Sequence, residues 1–67
     1  MYLKQELIEY HIQLEQGMSL RITLNPKSDK FFFQEIYANG EESDDILVIS
    51  RDHSTDLINI LRDMEQY

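Results

Sequence analysis

The sequence predicts an α+β domain in which a four-stranded antiparallel sheet, begun by an N-terminal hairpin, is covered by one C-terminal helix. Over residues 8–24, apolar and polar residues alternate on both sides of Gly17, a pattern typical of two strands that share one buried face. Over residues 57–64, apolar residues recur at the spacing of a helix. Because 67 residues can enclose only one core, we expect residues 1–67 to form a single domain.

The first two strands are predicted to meet at a three-residue loop. Glu15–Gly17 ends in a glycine, which can adopt the left-handed conformation that such a loop requires. If Leu14 faces Met18, the register places the apolar residues in cross-strand pairs on one face. These pairs are Ile12 with Leu20, Tyr10 with Ile22, and Ile8 with Leu24.

A helical start is the alternative. Four apolar residues also match a helical template, namely Leu3, Leu7, Tyr10 and Leu14. This alternative fold has an N-terminal helix over about residues 2–16, followed by three strands and the C-terminal helix. The unbroken alternation of residues 7–15, continued in phase by a second segment with β-branched residues, favours the hairpin.

Two further strands are predicted downstream. Residues 31–38 have strong β propensity and place aromatic side chains on both faces. The acidic run 41–45 follows Asn39-Gly40 and predicts a long solvated loop rather than a tight hairpin. Residues 46–49 form the short apolar run that is typical of a buried strand.

The C-terminal helix has its own start signals. Asp52, Ser54 and Thr55 can each cap a helix, and Asp56 would lie in the first turn, where a negative charge favours the helix dipole. The apolar stripe of the helix is then expected to face the sheet.

The net charge of −7 is concentrated in the C-terminal part of the chain. Of 13 acidic residues, eight lie in residues 41–67, against Arg51 and Arg62. Such a field repels nucleic acid and anionic lipid, and it attracts basic protein surfaces, including those that hold nucleic acid. The predicted partner-contacting residues are Glu41, Glu42, Asp44, Asp45, Asp52 and Asp56.

Several function classes are disfavoured. The chain has no cysteine, which excludes disulfides and cysteine-based zinc, redox or nucleophilic sites. No apolar run is long enough for a membrane span and the N-terminus does not resemble a signal peptide, so a cytoplasmic protein is expected. The acidic run lacks calcium-loop spacing, and two glycines make no phosphate loop. We therefore expect neither a metal nor a cofactor.

The histidines do not indicate catalysis. His11 lies on the polar side of the first strand opposite Arg21 in the predicted register. His53 stands beside Asp52 and Ser54, but all three fall within one helix-capping turn, where side chains do not meet as a triad. The prediction is a protein that is not an enzyme.

One patch of the sequence suits nucleic acid. Arg21, Lys27 and Lys30 accompany the aromatic residues 31–33, and single-strand binding uses aromatic faces flanked by cations. The net charge of −7 opposes direct nucleic-acid binding.

Two resemblances follow from these patterns. The order QGMSLRITLNP, FFFQEIYANG, ILVIS and DLINILRDM resembles the PC4-like fold of single-stranded-DNA-binding coactivators, which implies a homodimer that binds DNA through its sheet. The size, the charge and the ending LVISRDHSTDLINIL resemble small acidic phage anti-CRISPR proteins, which inhibit Cas9-type nucleases. Some of those act as DNA mimics at the arginines that read the PAM. That resemblance implies an inhibitor that binds a basic protein surface, and this is the function we expect, with the PC4-like DNA binder as the alternative.

Overall fold

The computed structural model describes residues 7–67. The elements in chain order are β1 (Ile8–Gln13), a first 3-10 turn (Glu15–Gly17), β2 (Ser19–Asn25), β3 (Lys30–Ile36), β4 (Glu42–Ser50), a second 3-10 turn (Arg51–His53) and α1 (Ser54–Met64). The strands form one sheet in the order β1-β2-β3-β4, and each is antiparallel to the next. The predicted four-stranded antiparallel sheet with one C-terminal helix is confirmed.

The predicted hairpin register is confirmed in every apolar pair. Ile12 faces Leu20, and the pairs Tyr10 with Ile22 and Ile8 with Leu24 follow. The Leu14 N–H donates to the Met18 carbonyl over 2.8 Å and closes the loop. Gly17 has φ 78° and Gln16 has φ 59°, so two residues adopt the left-handed conformation. The alternative N-terminal helix is wrong for residues 8–13, and its residues 2–6 lie outside the described chain.

The register gives the sheet one apolar face. Its strands contribute apolar side chains at positions directly opposite one another. This apolar face consists of Ile8, Tyr10, Ile12, Leu20, Ile22, Leu24, Phe31, Phe33, Leu47 and Ile49. Two carboxylates border it, because Glu35 lies opposite Leu20 and Asp45 lines the same groove as Leu47. The opposite, polar face carries Glu9, Arg21, Thr23, Phe32 and Gln34 among others.

The helix does not cover the sheet as the sequence predicted. Its main contacts are with the second 3-10 turn, and none of residues 7–67 is buried. The molecule measures 52 × 33 × 17 Å.

The connection into the helix is short and is anchored to Asp29 in the turn between β2 and β3. The Arg51 N–H donates to the Asp29 carbonyl over 2.9 Å, and the Arg51 guanidinium lies 3.3 Å from the Asp29 carboxylate. His53 (φ −96°, ψ −4°) and Ser54 (φ −65°, ψ −35°) then continue in helical geometry.

Two local predictions are corrected. The acidic run is not a long loop, because Tyr37 N–H donates to the Glu41 carbonyl over 2.8 Å and β4 begins at Glu42. The helix has His53 at its N-cap position without a side-chain cap, and the Ser54 hydroxyl instead donates to the Arg51 carbonyl over 2.7 Å. Asp56 does lie in the first turn, as predicted.

Gly17→Ala is expected to lower the free energy of unfolding by about 1–2 kcal/mol, through left-handed strain and crowding. A Cβ at Gly17 would lie 3.2 Å from the Ala38 Cβ, whereas a Cβ at Gly40, with φ 89°, would meet nothing within 4 Å. Gly40→Ala is therefore the matched control and carries only the backbone cost, about 1 kcal/mol. Urea unfolding followed by circular dichroism measures both, and equal losses would contradict a close Gly17–Ala38 approach.

Candidate acidic interface on the edge strand

The acidic run lies on an outer strand of the sheet. β4 pairs with β3 on one side, and no other strand among residues 7–67 pairs with its second edge. Glu42, Asp44 and Asp45 belong to β4, and Glu41 immediately precedes it. All four side chains belong to exposed residues. The structure therefore brings together the first four of the predicted contacting residues, along one edge.

A bulge shapes this edge. Gln34 of β3 pairs with Ile46, but Ile36, two residues on, pairs with Glu42, four residues back along β4. The two additional β4 residues make the strand bend, and the Asp45 N–H donates to the Ser43 hydroxyl oxygen over 3.1 Å. Bulges at sheet edges redirect side chains and interrupt pairing. Here the bulge coincides with the acidic run.

A network of polar contacts on the polar face, here called the relay, joins Arg21, Gln34, Glu42 and the Ser43 carbonyl and fixes the bulge. Gln34 donates from its side-chain amide to the Ser43 carbonyl over 2.8 Å, and its amide oxygen accepts from the Arg21 guanidinium. Arg21 also lies 2.9 Å from the Glu42 carboxylate. The Arg21 side chain is 25% exposed and that of Glu42 55%, so the ion pair itself contributes only about 0.5 kcal/mol to stability. The relay acts mainly by fixing geometry.

The hairpin loop before β4 presents Glu41. The Gly40 N–H donates to the Tyr37 carbonyl over 2.9 Å, and the Glu41 N–H donates to the Asn39 side-chain oxygen over 3.0 Å. These bonds hold the loop tightly, since Asn39 satisfies a backbone donor that the ladder leaves free. Within residues 7–67, Glu42 is the member of the run that has a basic side chain as partner.

The two remaining predicted contact residues lie elsewhere. Asp52 is in the second 3-10 turn and Asp56 in the first turn of α1. Since β4 advances about 3.3 Å per residue, Asp52 is about 20 Å from Asp45. The structure thus divides the predicted set into an acidic edge, residues 41–45, and a separate pair at the helix start.

The histidines form no catalytic arrangement. His11 faces Arg21 in the register, as predicted, and its Nε2 lies 2.9 Å from the Glu9 carboxylate. His53 is in the second 3-10 turn beside Asp52. Among the described residues, no three histidine or carboxylate side chains converge as a metal site would require.

The predicted basic and aromatic patch is divided by the sheet. Phe31 and Phe33 share the apolar face with Leu24 and Ile22, whereas Phe32 lies on the polar face beside Arg21, where both line a shallow groove. Arg21 is already engaged by Gln34 and Glu42. The patch therefore does not form one continuous surface.

Sequence reasoning missed Gln34 and Ser43. Neither residue type indicates a site on its own, and their roles depend on a bulge that places the Ser43 carbonyl within reach of Gln34. A polar residue in the middle of an aromatic strand was the one available signal, because a half-buried amide needs partners.

Comparison with protein-family models, with curated proteins and with solved structures gave no match. Within the part of the chain that the structure describes, no helix is long and apolar enough to cross a membrane.

Gln34→Met is expected to loosen the bulge, because it removes the donor to Ser43 and the acceptor for Arg21. We expect a loss of about 1 kcal/mol in stability and faster amide hydrogen exchange at residues 43–45. Gln13→Met is the matched control, since Gln13 makes a similar side-chain bond to the Met18 carbonyl at an exposed position. Unchanged exchange at residues 43–45, measured by NMR, would show that the relay does not hold the bulge.

Proposed function

We propose that this chain is a non-enzymatic binding protein whose acidic edge, residues 41–45, docks on a basic surface of a nucleic-acid-handling protein and inhibits it. The main observation in support of the proposal is the exposed position of the acidic run on an outer strand. Its carboxylates lie on a bulged outer strand, exposed and largely without intrachain cations among the described residues. A partner's arginines and lysines can reach them without unfolding the sheet.

The relay supports a binding role through preorganisation. Arg21, Gln34 and the Ser43 carbonyl fix the backbone from which Asp44 and Asp45 project. A fixed array of charges loses less conformational entropy on binding than a flexible loop does, and this improves affinity. The loop bonds of Asn39 extend the same fixation to Glu41.

The resemblance to anti-CRISPR proteins suggests the first partner to test. Cas9-type nucleases contain arginines that contact guanines of the PAM and a channel that is positive along the nucleic acid. A compact acidic surface attached to a net charge of −7 is electrostatically complementary to such sites. In this proposal the protein is a phage-encoded DNA mimic that acts in the host cytoplasm.

Neutralising the free carboxylates of the acidic edge is expected to weaken inhibition. The variant Glu41→Gln/Asp44→Asn/Asp45→Asn keeps Glu42 and therefore keeps its ion pair with Arg21. Exposed ion pairs contribute about 0.5–1 kcal/mol each, so losing three should weaken the complex roughly tenfold to a hundredfold. DNA-cleavage assays with a panel of purified Cas9-type nucleases, titrated at about 0.05–0.3 M salt, provide the measurement.

The matched control removes the same charge elsewhere. Glu15→Gln/Asp63→Asn/Glu65→Gln also changes the net charge by +3, at exposed positions in the first 3-10 turn and near the end of α1. We expect this control to inhibit within about threefold of the original chain, since long-range fields are screened at these salt concentrations. Equal losses of inhibition in the two variants would show that inhibition depends on net charge and not on the position of the carboxylates. No inhibition of any nuclease in the panel would reject the CRISPR partner.

Asp52 and Asp56 are tested separately. Because they lie about 20 Å from the acidic edge, Asp52→Asn/Asp56→Asn should preserve inhibition if the partner contacts the edge alone. A loss similar to that of the edge variant would place the helix start in the same interface.

Single-stranded DNA binding is the alternative, and the arrangement of four antiparallel strands and a C-terminal helix supports it. It would use Lys27, Lys30 and Phe31, the first two being exposed residues. Fluorescence anisotropy with a labelled oligonucleotide distinguishes the proposals. Salt-sensitive binding that is lost on replacing these three residues by alanine would favour the DNA binder over the inhibitor.

A further inference from the structure

The structure has two apolar surfaces that remain largely exposed within residues 7–67. On the apolar face, Tyr10 is 70% exposed, Ile12 49% and Leu47 60%. On α1, Leu61 is 53% exposed and Met64 62%. An 11-residue helix is marginal alone in water, and a sheet needs packing on its apolar face for stability. Each surface therefore requires a partner.

We propose that two copies of this chain form a homodimer in which α1 of each copy lies across the apolar face of the other. The evidence for this dimer, exposed apolar side chains, is separate from the evidence for the proposed inhibitory function, although the docked helix would lie near Asp45 of the acidic edge. One two-fold axis would bury both uncovered surfaces at once, because an isologous interface places the same pair of surfaces in contact twice. Packing sheet against sheet would leave the stripe of α1 in water.

The dimensions of the two surfaces match. The 11 residues of α1 form a helix about 16 Å long. Four strands are about 15 Å across between the outer strand axes, and strands of six or seven residues are about 20 Å long. The stripe of Leu57, Leu61 and Met64, widened by Ile58 and Ile60, therefore covers most of the apolar face. The helix of the same copy does not do so, because its main contacts are with the second 3-10 turn and Leu61 and Met64 stay exposed.

The area is that of a stable interface. Exposed apolar side chains of these sizes contribute roughly 100 Å² each. The exposed apolar side chains of α1 and of the apolar face together have an area of roughly 800–1,000 Å² per copy. This sum allows for the half-buried centre of the face at Ile22 and Phe33. A standard protein–protein interface buries about 800 Å² per partner. The dimer thus supplies the burial that the single copy lacks.

The opposing force is charge. Each copy carries −7, so two copies repel each other, and this repulsion is screened by salt while apolar burial is not. Raising the salt concentration should strengthen the dimer, whereas it should weaken binding of the acidic edge to a basic partner. The two associations are therefore distinguishable in one titration.

The dimer can be tested by its mass and by disulfide formation between introduced cysteines, because the chain has no native cysteine. Light scattering on the unmodified full chain at about 50 µM should give a mass twice the 8.0 kDa of one chain, and a more persistent dimer on dilution at high salt. A monomer mass at all salt concentrations would overturn the proposal. Mixing chains that carry Leu61→Cys with chains that carry Tyr10→Cys or Leu47→Cys, followed by oxidation, should give the mixed disulfide with at least one sheet variant.

Asn59→Cys is the matched control, because Asn59 is an exposed residue on the side of α1 away from the stripe. It should form the mixed disulfide at least tenfold more slowly than Leu61→Cys. Similar rates for the two helix positions, or disulfides formed only between two copies of a sheet variant, would overturn the exchanged-helix arrangement. The Leu61→Cys/Leu47→Cys double variant, oxidised at high dilution, should give little intrachain disulfide. Efficient intrachain closure would show that α1 folds onto its own sheet and would also overturn the proposal.

Discussion

The pairing register of β2 with its two neighbours determines the rest of this structure. Because side chains alternate along a strand, a slip of one residue would exchange the two faces of the sheet. In the observed register, Ile22 lies between Tyr10 and Phe33, and Arg21 lies beside Gln34. The row formed by Tyr10, Ile22 and Phe33 makes the apolar face continuous across three strands. The pairing of Arg21 with Gln34 allows the relay to reach Ser43. One register therefore sets both the apolar face and the bulged acidic edge.

The sequence was informative where two independent signals agreed. The β1–β2 hairpin combined strict alternation with a glycine at the end of a three-residue loop, and its register was predicted residue by residue. The acidic run carried one misleading signal, because like charges indicate a loop. Along β4 the side chains alternate between the faces, and Glu42 is compensated by an arginine two strands away. That compensation depends on tertiary geometry, which composition does not encode.

The helix illustrates a different limit. The stripe of α1 showed that the helix needs an apolar partner, and the alternation of β1 and β2 showed that the sheet does too. Amphipathicity does not say which surface meets which. β4 leads into α1 through three residues, Arg51–His53, which form a 3-10 turn, and Arg51 bonds to Asp29. Nothing in the apolar pattern reports on that turn. The candidate site was predicted similarly: its charges were identified, but its division into the acidic edge and the Asp52–Asp56 pair was not.

The acidic edge has more carboxylates than the protection of an open strand requires, and this supports the proposed binding role. An open outer strand must be protected against pairing with other chains, and a bulge or one or two charges are sufficient for that. β4 has the bulge, and it has Glu42 held by Arg21. The strand therefore does not need the further carboxylates of Glu41, Asp44 and Asp45 for protection. These carboxylates repel one another, and the repulsion destabilises the folded chain slightly. In the proposed complex a partner's cations would relieve that repulsion, so the free energy that the charges cost in isolation would be recovered on binding.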